Sequence, residues 1–266
     1  MPPLVTAAAA RCGYSPVVFA IDGEAETASF TGVAVHVIRW GEIGRFFRLA
    51  HAAGCRHAVF IGAVRRPDFK AIRPDLGTLK FIPRILQLMR GGDDRLLAGV
   101  AEIFQEQGMS LIGPLEVAPE LALPEGSLTP TESAGAAVNI EVAAEAARRI
   151  GKLDVGQAAV AVGGRVVAVE DAGGTDALLD RVATLRKEGQ IPASGGVLVK
   201  CMKPQQDVRL DVPSIGSLTA ENARRAGLDG VAGEAGRTLL AGRDATIAAF
   251  RRTGLFLCGI KPPEPS

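Results

Sequence analysis

The spacing of apolar residues changes period several times along the chain, and each change marks an expected element. Leu4–Arg11 is an alanine-rich segment of helical period closed by Gly13, and Pro16–Ile21 is a short apolar run ended by Asp22-Gly23, the pattern of a strand. Val33–Ile38 is strand-like, Ile43–Ala53 returns to helical spacing until Gly54, and His57–Ala63 reads as a strand with β-branched positions. Two helical segments, Phe81–Arg90 and Asp94–Gln107, precede a short strand at Leu111–Gly113. Alternation of this kind predicts a largely parallel sheet covered by helices.

Pro114, Pro119, Pro124 and Pro130 then interrupt a stretch with little periodicity, which makes residues 114–130 the best linker candidate. Beyond it come a long helix, Ser133–Ile150, and two strands, Gln157–Val162 and Arg165–Glu170, joined as a hairpin at Gly163-Gly164. A helix Ala177–Lys187, strands Val197–Met202 and Asp207–Val212, a helix Ala220–Ala226 and strands near Thr238 and Leu255 complete the reading. The expected fold class is α/β. A Rossmann-like parallel-sheet domain over residues 1–125 precedes an α/β domain with a mixed sheet over residues 130–266.

Composition narrows the function. Thirty Lys and Arg against 29 Asp and Glu leave a formal charge of +1, so no global field holds the chain on nucleic acid. Ten Phe, one Tyr and one Trp are not interleaved with basic runs, and a nucleic-acid partner is not expected. Cys12, Cys55, Cys201 and Cys258 form no CxxC pair and are expected as small buried hydrophobes, while His36, His51 and His57 lack metal-ligand spacing. No apolar run approaches the ~18–20 residues that span a bilayer, and Met1-Pro2-Pro3 does not open a signal peptide. A cytoplasmic protein is expected, with any membrane contact made from the surface.

The clearest chemical signal is the strict alternation Gln206-Asp207-Val208-Arg209-Leu210-Asp211-Val212-Pro213. In a strand it would set Asp207, Arg209 and Asp211 on one face and Val208, Leu210 and Val212 on the other. The preceding segment ends with Lys200 and Lys203, so two carboxylates, an Arg and two Lys fall within twelve residues. That is the composition of a magnesium–phosphate site, and a solvated ion-pair ladder would have the same composition. A second candidate is Asp171–Asp176, whose Gly173 and Gly174 precede a helix: Gly174, Thr175 and Asp176 either cradle an anion or simply cap that helix. The loop Gly62–Pro67 is a weaker candidate at a strand end, and no GxGxxG, P-loop or GxSxG motif occurs.

Several of these stretches together resemble the magnesium-dependent UDP-2,3-diacylglucosamine diphosphatases of lipid A biosynthesis. The most specific are Val199-Lys200 to Lys203-Pro204, Gln206-Asp207 with Arg209–Pro213, and Ile215-Gly216 with Thr219. Val167–Glu170 with Gly174–Asp176, Gly62–Pro67, Gly92–Asp94 and Ala226–Leu228 add to them, and the resemblance spans almost the whole chain. It implies hydrolysis of the diphosphate to UMP and 2,3-diacylglucosamine 1-phosphate, with water attacking the sugar-side phosphorus. It further implies Mg2+ on Asp211 or Asp207, catalysis by Asp211, Asp207 and Arg209, and substrate binding by Gly174, Thr175, Asp176, Lys200, Lys203 and Gln206. A homodimer, an acylated UDP-sugar substrate and surface contact with the inner membrane follow from the same resemblance. The chain departs from it at Gly173, where relatives carry Glu, and in lacking the first strand and triple-glycine turn ahead of Leu4-Val5. An upstream start of the natural reading frame, or a shortened form of the chain, is therefore expected. The competing readings are a catalytically weak or inactive binding protein for a nucleotide-sugar or an acylated sugar phosphate, and a different phosphoryl-transfer enzyme on the same scaffold.

Overall fold

The computed structural model describes residues 2–62, 72–88, 93–129 and 135–263, and the expected loop at Val64–Pro67 and the glycines Gly91-Gly92 lie outside them. The chain divides into two units, one of residues 1–118 with 207–211, the other of 119–206 with 212–266.

In the first unit, α1 (Pro2–Arg11) leads to the parallel pair β1 (Val17–Ile21) and β2 (Ala34–Ile38), in register from Val17 opposite Ala34 to Ile21 opposite Ile38. Helix α2 (Ile43–Ala52) follows, then β3 (His57–Ala58), α3 (Ile82–Leu88), α4 (Asp93–Glu106), β4 (Ser110–Leu111) and α5 (Pro114–Val117). Strand β3 is shorter than its apolar run suggests because its parallel partner β4 offers only two residues. Phe47, Phe81, Ile103, Phe104 and Leu111 form the core, with Phe19, Phe46 and Leu210 packed against it. The rings interlock edge to face, Phe47 and Phe104 with centroids 5.0 Å apart and Phe46 and Phe47 5.1 Å apart.

The first turn of α2 is capped from a distant part of the chain. Its own N-cap residue, Glu42, makes no side-chain cap. Instead the amides of Ile43 and Gly44 donate to the Thr78 hydroxyl at 2.9 and 3.3 Å, and that of Arg45 to Asp75 Oδ2 at 2.7 Å. This approach needs glycine on both sides: a Cβ on Gly44 would lie 2.5 Å from the Cα of Gly77. An internal carboxylate thus occupies the helix N-terminus at which an anion would otherwise bind. Burial pushes the Asp75 carboxyl up, but hydrogen bonds from the Thr78 hydroxyl and from nearby amides outweigh it and hold it below its ordinary value.

Residues 114–129 of the proline-rich stretch carry short elements. After α5, a 3-10 turn at Pro119–Leu121 brings Leu123, fully buried, into the second core, where its amide donates to the Thr238 carbonyl at 2.8 Å. The second unit continues with β5 (Gly126–Ser127), α6 (Ala136–Lys152), β6 (Ala158–Val162), β7 (Arg165–Val169), α7 (Gly174–Lys187) and β8 (Val197–Lys200). It ends with β9 (Ser214–Gly216), α8 (Ser217–Arg225), β10 (Gly230–Glu234), β11 (Leu239–Ala241), α9 (Arg243–Thr253) and β12 (Phe256–Ile260).

Six strands form one mixed sheet in the order β5-β12-β10-β8-β6-β7, and β9 pairs separately with β11. Strands β8, β10 and β12 are parallel, while β6 runs antiparallel to β8 and to β7. Alternation along the strands divides the core. Val160, Leu198, Val231 and Leu257 join Leu179, Ala223 and Phe250 of α7, α8 and α9, whereas Ala159, Val199, Ala232 and Phe256 meet Ala143, Ala144 and Ala147 of α6. The alanines of α6 allow close approach to its face of the sheet. Among the described residues no helix is long and apolar enough to cross a membrane.

Replacing the capping hydroxyl in Thr78→Val is expected to cost about 1–2 kcal/mol and to speed amide exchange at Ile43 and Gly44. Unchanged exchange there would contradict a cap supplied by Thr78.

Candidate functional site

Parallel β8, β10 and β12 bring their carboxyl ends to one edge, since Gly233 lies opposite Lys200 and Glu234 opposite Ile260. The hairpin adds the start of β6 and the end of β7 to that edge, because Ala158 pairs with Lys200 and the amide of Glu170 donates to the Ala158 carbonyl. Ligands of open α/β sheets gather where such ends and their loops meet.

Residues 201–213 leave this edge and return as β9. Lys200, 7% exposed, fastens the two ends together, its Nζ donating to the Ser214 carbonyl at 3.1 Å. Within the loop, the Lys203 amide donates to Gln206 Oε1 at 3.0 Å and the Gln206 amide to the Lys203 carbonyl at 3.1 Å. Lys203 Nζ pairs with Asp154 at 2.6 Å, and Gln205 Nε2 donates to the Gly151 carbonyl at 2.8 Å, which ties the loop to the end of α6.

The next five residues are not the expected strand. The amides of Leu210 and Asp211 both donate to the Asp207 carbonyl, at 2.9 and 3.0 Å, closing a tight turn grouped with the first unit. Asp207 also accepts the Arg209 amide at 3.0 Å, so its side chain captures the backbone that a ladder would need. The Arg209 guanidinium then straddles the carboxylate, Nε to Oδ1 at 2.9 Å and Nη2 to Oδ2 at 2.6 Å. That hydrogen-bonded guanidinium holds the Asp207 carboxyl below its ordinary value, and the carboxylate raises Arg209 in turn. Leu210 packs on the aromatic core while Val208 is 44% exposed, so the apolar residues of the alternation do not share a buried face. Gly113 brings a neighbouring turn close: a Cβ there would lie 3.1 Å from the Val208 carbonyl oxygen. Asp211, half-buried, closes the turn.

At the β7–α7 junction the helix starts at Gly174, three residues earlier than its periodicity suggests. The amides of Gly173 and Gly174 are taken by Asp171, through Oδ1 at 2.8 Å and the carbonyl at 2.9 Å. Gly174 has φ +75°, which accounts for one of the two glycines. Thr175 donates to buried Glu170 Oε1 at 2.6 Å, and Asp176 accepts from Asn222 Nδ2 at 2.7 Å, so both side chains bind internal partners.

The structure therefore puts Lys203 and Gln206 in the loop that follows Lys200 at the end of β8, sets Gly174, Thr175 and Asp176 on the same sheet edge, and brings Asp207, Arg209 and Asp211 into one turn. Sequence reading carried Glu170, 6% exposed and just after β7, only within the Val167–Glu170 stretch, and missed Glu234, 1% exposed, which ends β10. An acidic residue closing an apolar run just before a glycine turn, as in Gly233-Glu234-Ala235-Gly236, was the available signal. Among the described residues no group of three or more His, Cys, Asp or Glu could hold a metal ion by itself. Cys201 and Cys258 are buried as expected, whereas Cys12 is exposed and Cys55 intermediate. Burial pushes the Cys201 thiol up to about 12, leaving it inert at neutral pH.

Comparison with known proteins covers both units. The family model of the LpxI N-terminal domain matches residues 1–121 and that of the LpxI C-terminal domain residues 124–258. The chain is 44% identical over 227 residues to the UDP-2,3-diacylglucosamine pyrophosphatase LpxI of Caulobacter vibrioides, covering 84% of this chain and 81% of that protein. The chain belongs to the LpxI family.

Carboxylate titration followed by NMR tests the turn. Asp207 is stabilising while ionised, and with its folded value depressed this contribution is present above the ordinary carboxylate range and lost as pH falls through the folded value. In Arg209→Ala the Asp207 titration is expected to move up towards its ordinary position. An unmoved midpoint would show that the guanidinium does not hold it.

Proposed function

We infer that this chain is a UDP-2,3-diacylglucosamine diphosphatase, which hydrolyses its substrate to UMP and 2,3-diacylglucosamine 1-phosphate in lipid A biosynthesis. The observation that carries this reading is the 44% identity to the Caulobacter pyrophosphatase, extending through both family domains. The turn at 207–211 supplies the carboxylate and guanidinium that such chemistry needs.

Water forms a bond to the sugar-side phosphorus, the bond from that phosphorus to the bridging oxygen breaks, and UMP leaves with that oxygen while the water proton passes to solvent. Magnesium commonly takes one or two protein carboxylates and completes its shell with water and substrate phosphates, so a three-ligand cage is not required. Asp211 or Asp207 of this turn would hold the ion, Asp207 with both oxygens already bonded to Arg209. When bound, magnesium supplies charge neutralisation at the phosphoryl oxygens.

The chain's own residues do the rest. Asp207 orients Arg209, whose guanidinium would meet phosphoryl charge. Lys203, steadied by Asp154, adds a second cation on the loop leading into the turn. Gln206 shapes that loop and Lys200 closes its base. Thr175 and Asp176 secure α7 to Glu170 and Asn222. The acylated substrate is met from the membrane surface, and assembly as a homodimer completes the reading, to be checked by analytical ultracentrifugation.

Product analysis tests the assignment. UDP-2,3-diacylglucosamine is expected to give UMP and the acylated sugar phosphate, with loss of turnover in EDTA and recovery on adding magnesium, whereas UDP-N-acetylglucosamine is left intact. Tight binding without turnover would favour the binding-protein reading instead. Because each buried methylene contributes ~0.8 kcal/mol, deacylated UDP-glucosamine is expected to be a far poorer substrate. Comparable catalytic efficiency on acylated and deacylated forms would point to a general nucleotide-sugar hydrolase.

A further inference from the structure

We propose that Glu234 is a positioning residue of this enzyme: from the end of β10 it fixes the loop that carries Lys203 into the Asp207–Asp211 turn, without touching substrate. The inference rests on the functional reading above and adds to it a residue in neither candidate motif.

Glu234 is 1% exposed in the middle of the sheet, where an unmatched carboxylate would be costly. Its two oxygens are divided between two neighbours. Oε1 accepts from Arg148 Nε of α6 at 3.0 Å, and Oε2 accepts from the backbone amide of Met202 at 3.2 Å. Met202 stands between Lys200, which fastens the ends of the excursion, and Lys203, whose ammonium reaches Asp154. The same carboxylate therefore joins the central strand, the helix whose Gly151 carbonyl receives Gln205, and the first residues of the loop.

Stability alone does not account for the pair. Replacing a buried ion pair with apolar residues of similar volume is often neutral or stabilising. An apolar pair could pack β10 against α6, but it could not accept the Met202 amide. The distinctive contribution of Glu234 is this backbone contact, made one residue before Lys203. Displacement of the loop would carry Lys203 away from its working position. Small misplacements of this kind lower kcat more than they weaken binding.

Two double variants separate this role from a purely structural one. Glu234→Gln with Arg148→Met removes both charges yet keeps an oxygen for the Met202 amide. Glu234→Ala with Arg148→Met removes the charges and the acceptor together. The first is expected to keep wild-type hydrogen exchange over residues 201–206 and most of kcat with UDP-2,3-diacylglucosamine. The second is expected to exchange faster there and to lose about 100-fold in kcat, with KM little changed. Equal exchange and equal kcat in the two doubles would overturn the proposal. If either double does not fold, Glu234→Asp, which keeps the charge and shortens the reach, gives the same comparison: reduced kcat at near-wild-type Tm supports positioning, and unchanged kcat overturns it. Should the wild-type chain not turn over this substrate, the functional reading fails, while the exchange comparison still decides whether Glu234 holds the loop.

Discussion

A buried lysine sets the geometry from which the candidate site follows. Lys200 ends β8 and donates to the carbonyl of Ser214, the first residue of β9, so the excursion of residues 201–213 leaves and rejoins the second unit at a fastened base. Fixing both ends of a loop lowers the entropy still to be lost when its middle is ordered. What remains is local: Asp207 gathers the amides of Arg209, Leu210 and Asp211, and Leu210 settles on the aromatic core of the first unit. Asp211 thus closes a short turn with an apolar anchor.

Most charges around this excursion are matched internally. Lys203 meets Asp154, Arg209 meets Asp207, Arg148 meets Glu234, and Asp176 meets Asn222. Exposed pairs of this type add little to global stability, and Arg209, 45% exposed, is in that class. Their effect is orientation, since a guanidinium already straddling a carboxylate has less freedom to lose when a phosphate arrives. Asp207 is itself committed to Arg209 through both carboxylate oxygens.

Much of the fold was legible in the sequence where one period held for several residues. The alternating helices and strands of the first unit, the Gly163-Gly164 hairpin and the α/β class all follow from that pattern. The segment 207–212 misled because alternation of polar and apolar residues is necessary for a half-buried strand but does not exclude a turn. An aspartate that binds the amide two residues on competes with any ladder, and periodicity carries no record of that competition. Strand β10, Gly-Val-Ala-Gly-Glu, went unread for a different reason. Its glycines carry little strand propensity yet are required by packing, a Cβ on Gly233 falling 2.9 Å from Thr238 Oγ1. Missing β10 concealed Glu234, whose partners Arg148 and Met202 are 86 and 32 residues away and become visible only in the fold.

The central claim is that turnover depends on the carboxylate of Asp211. Comparing Asp211→Asn and Asp211→Ala with wild type in single-turnover hydrolysis of UDP-2,3-diacylglucosamine at saturating magnesium tests it most directly. The account predicts loss of the chemical step in both variants, with thermal unfolding and product binding close to wild type. Retention of most of the wild-type rate by either variant would contradict it and return attention to the edge formed by Gly174, Thr175 and Asp176.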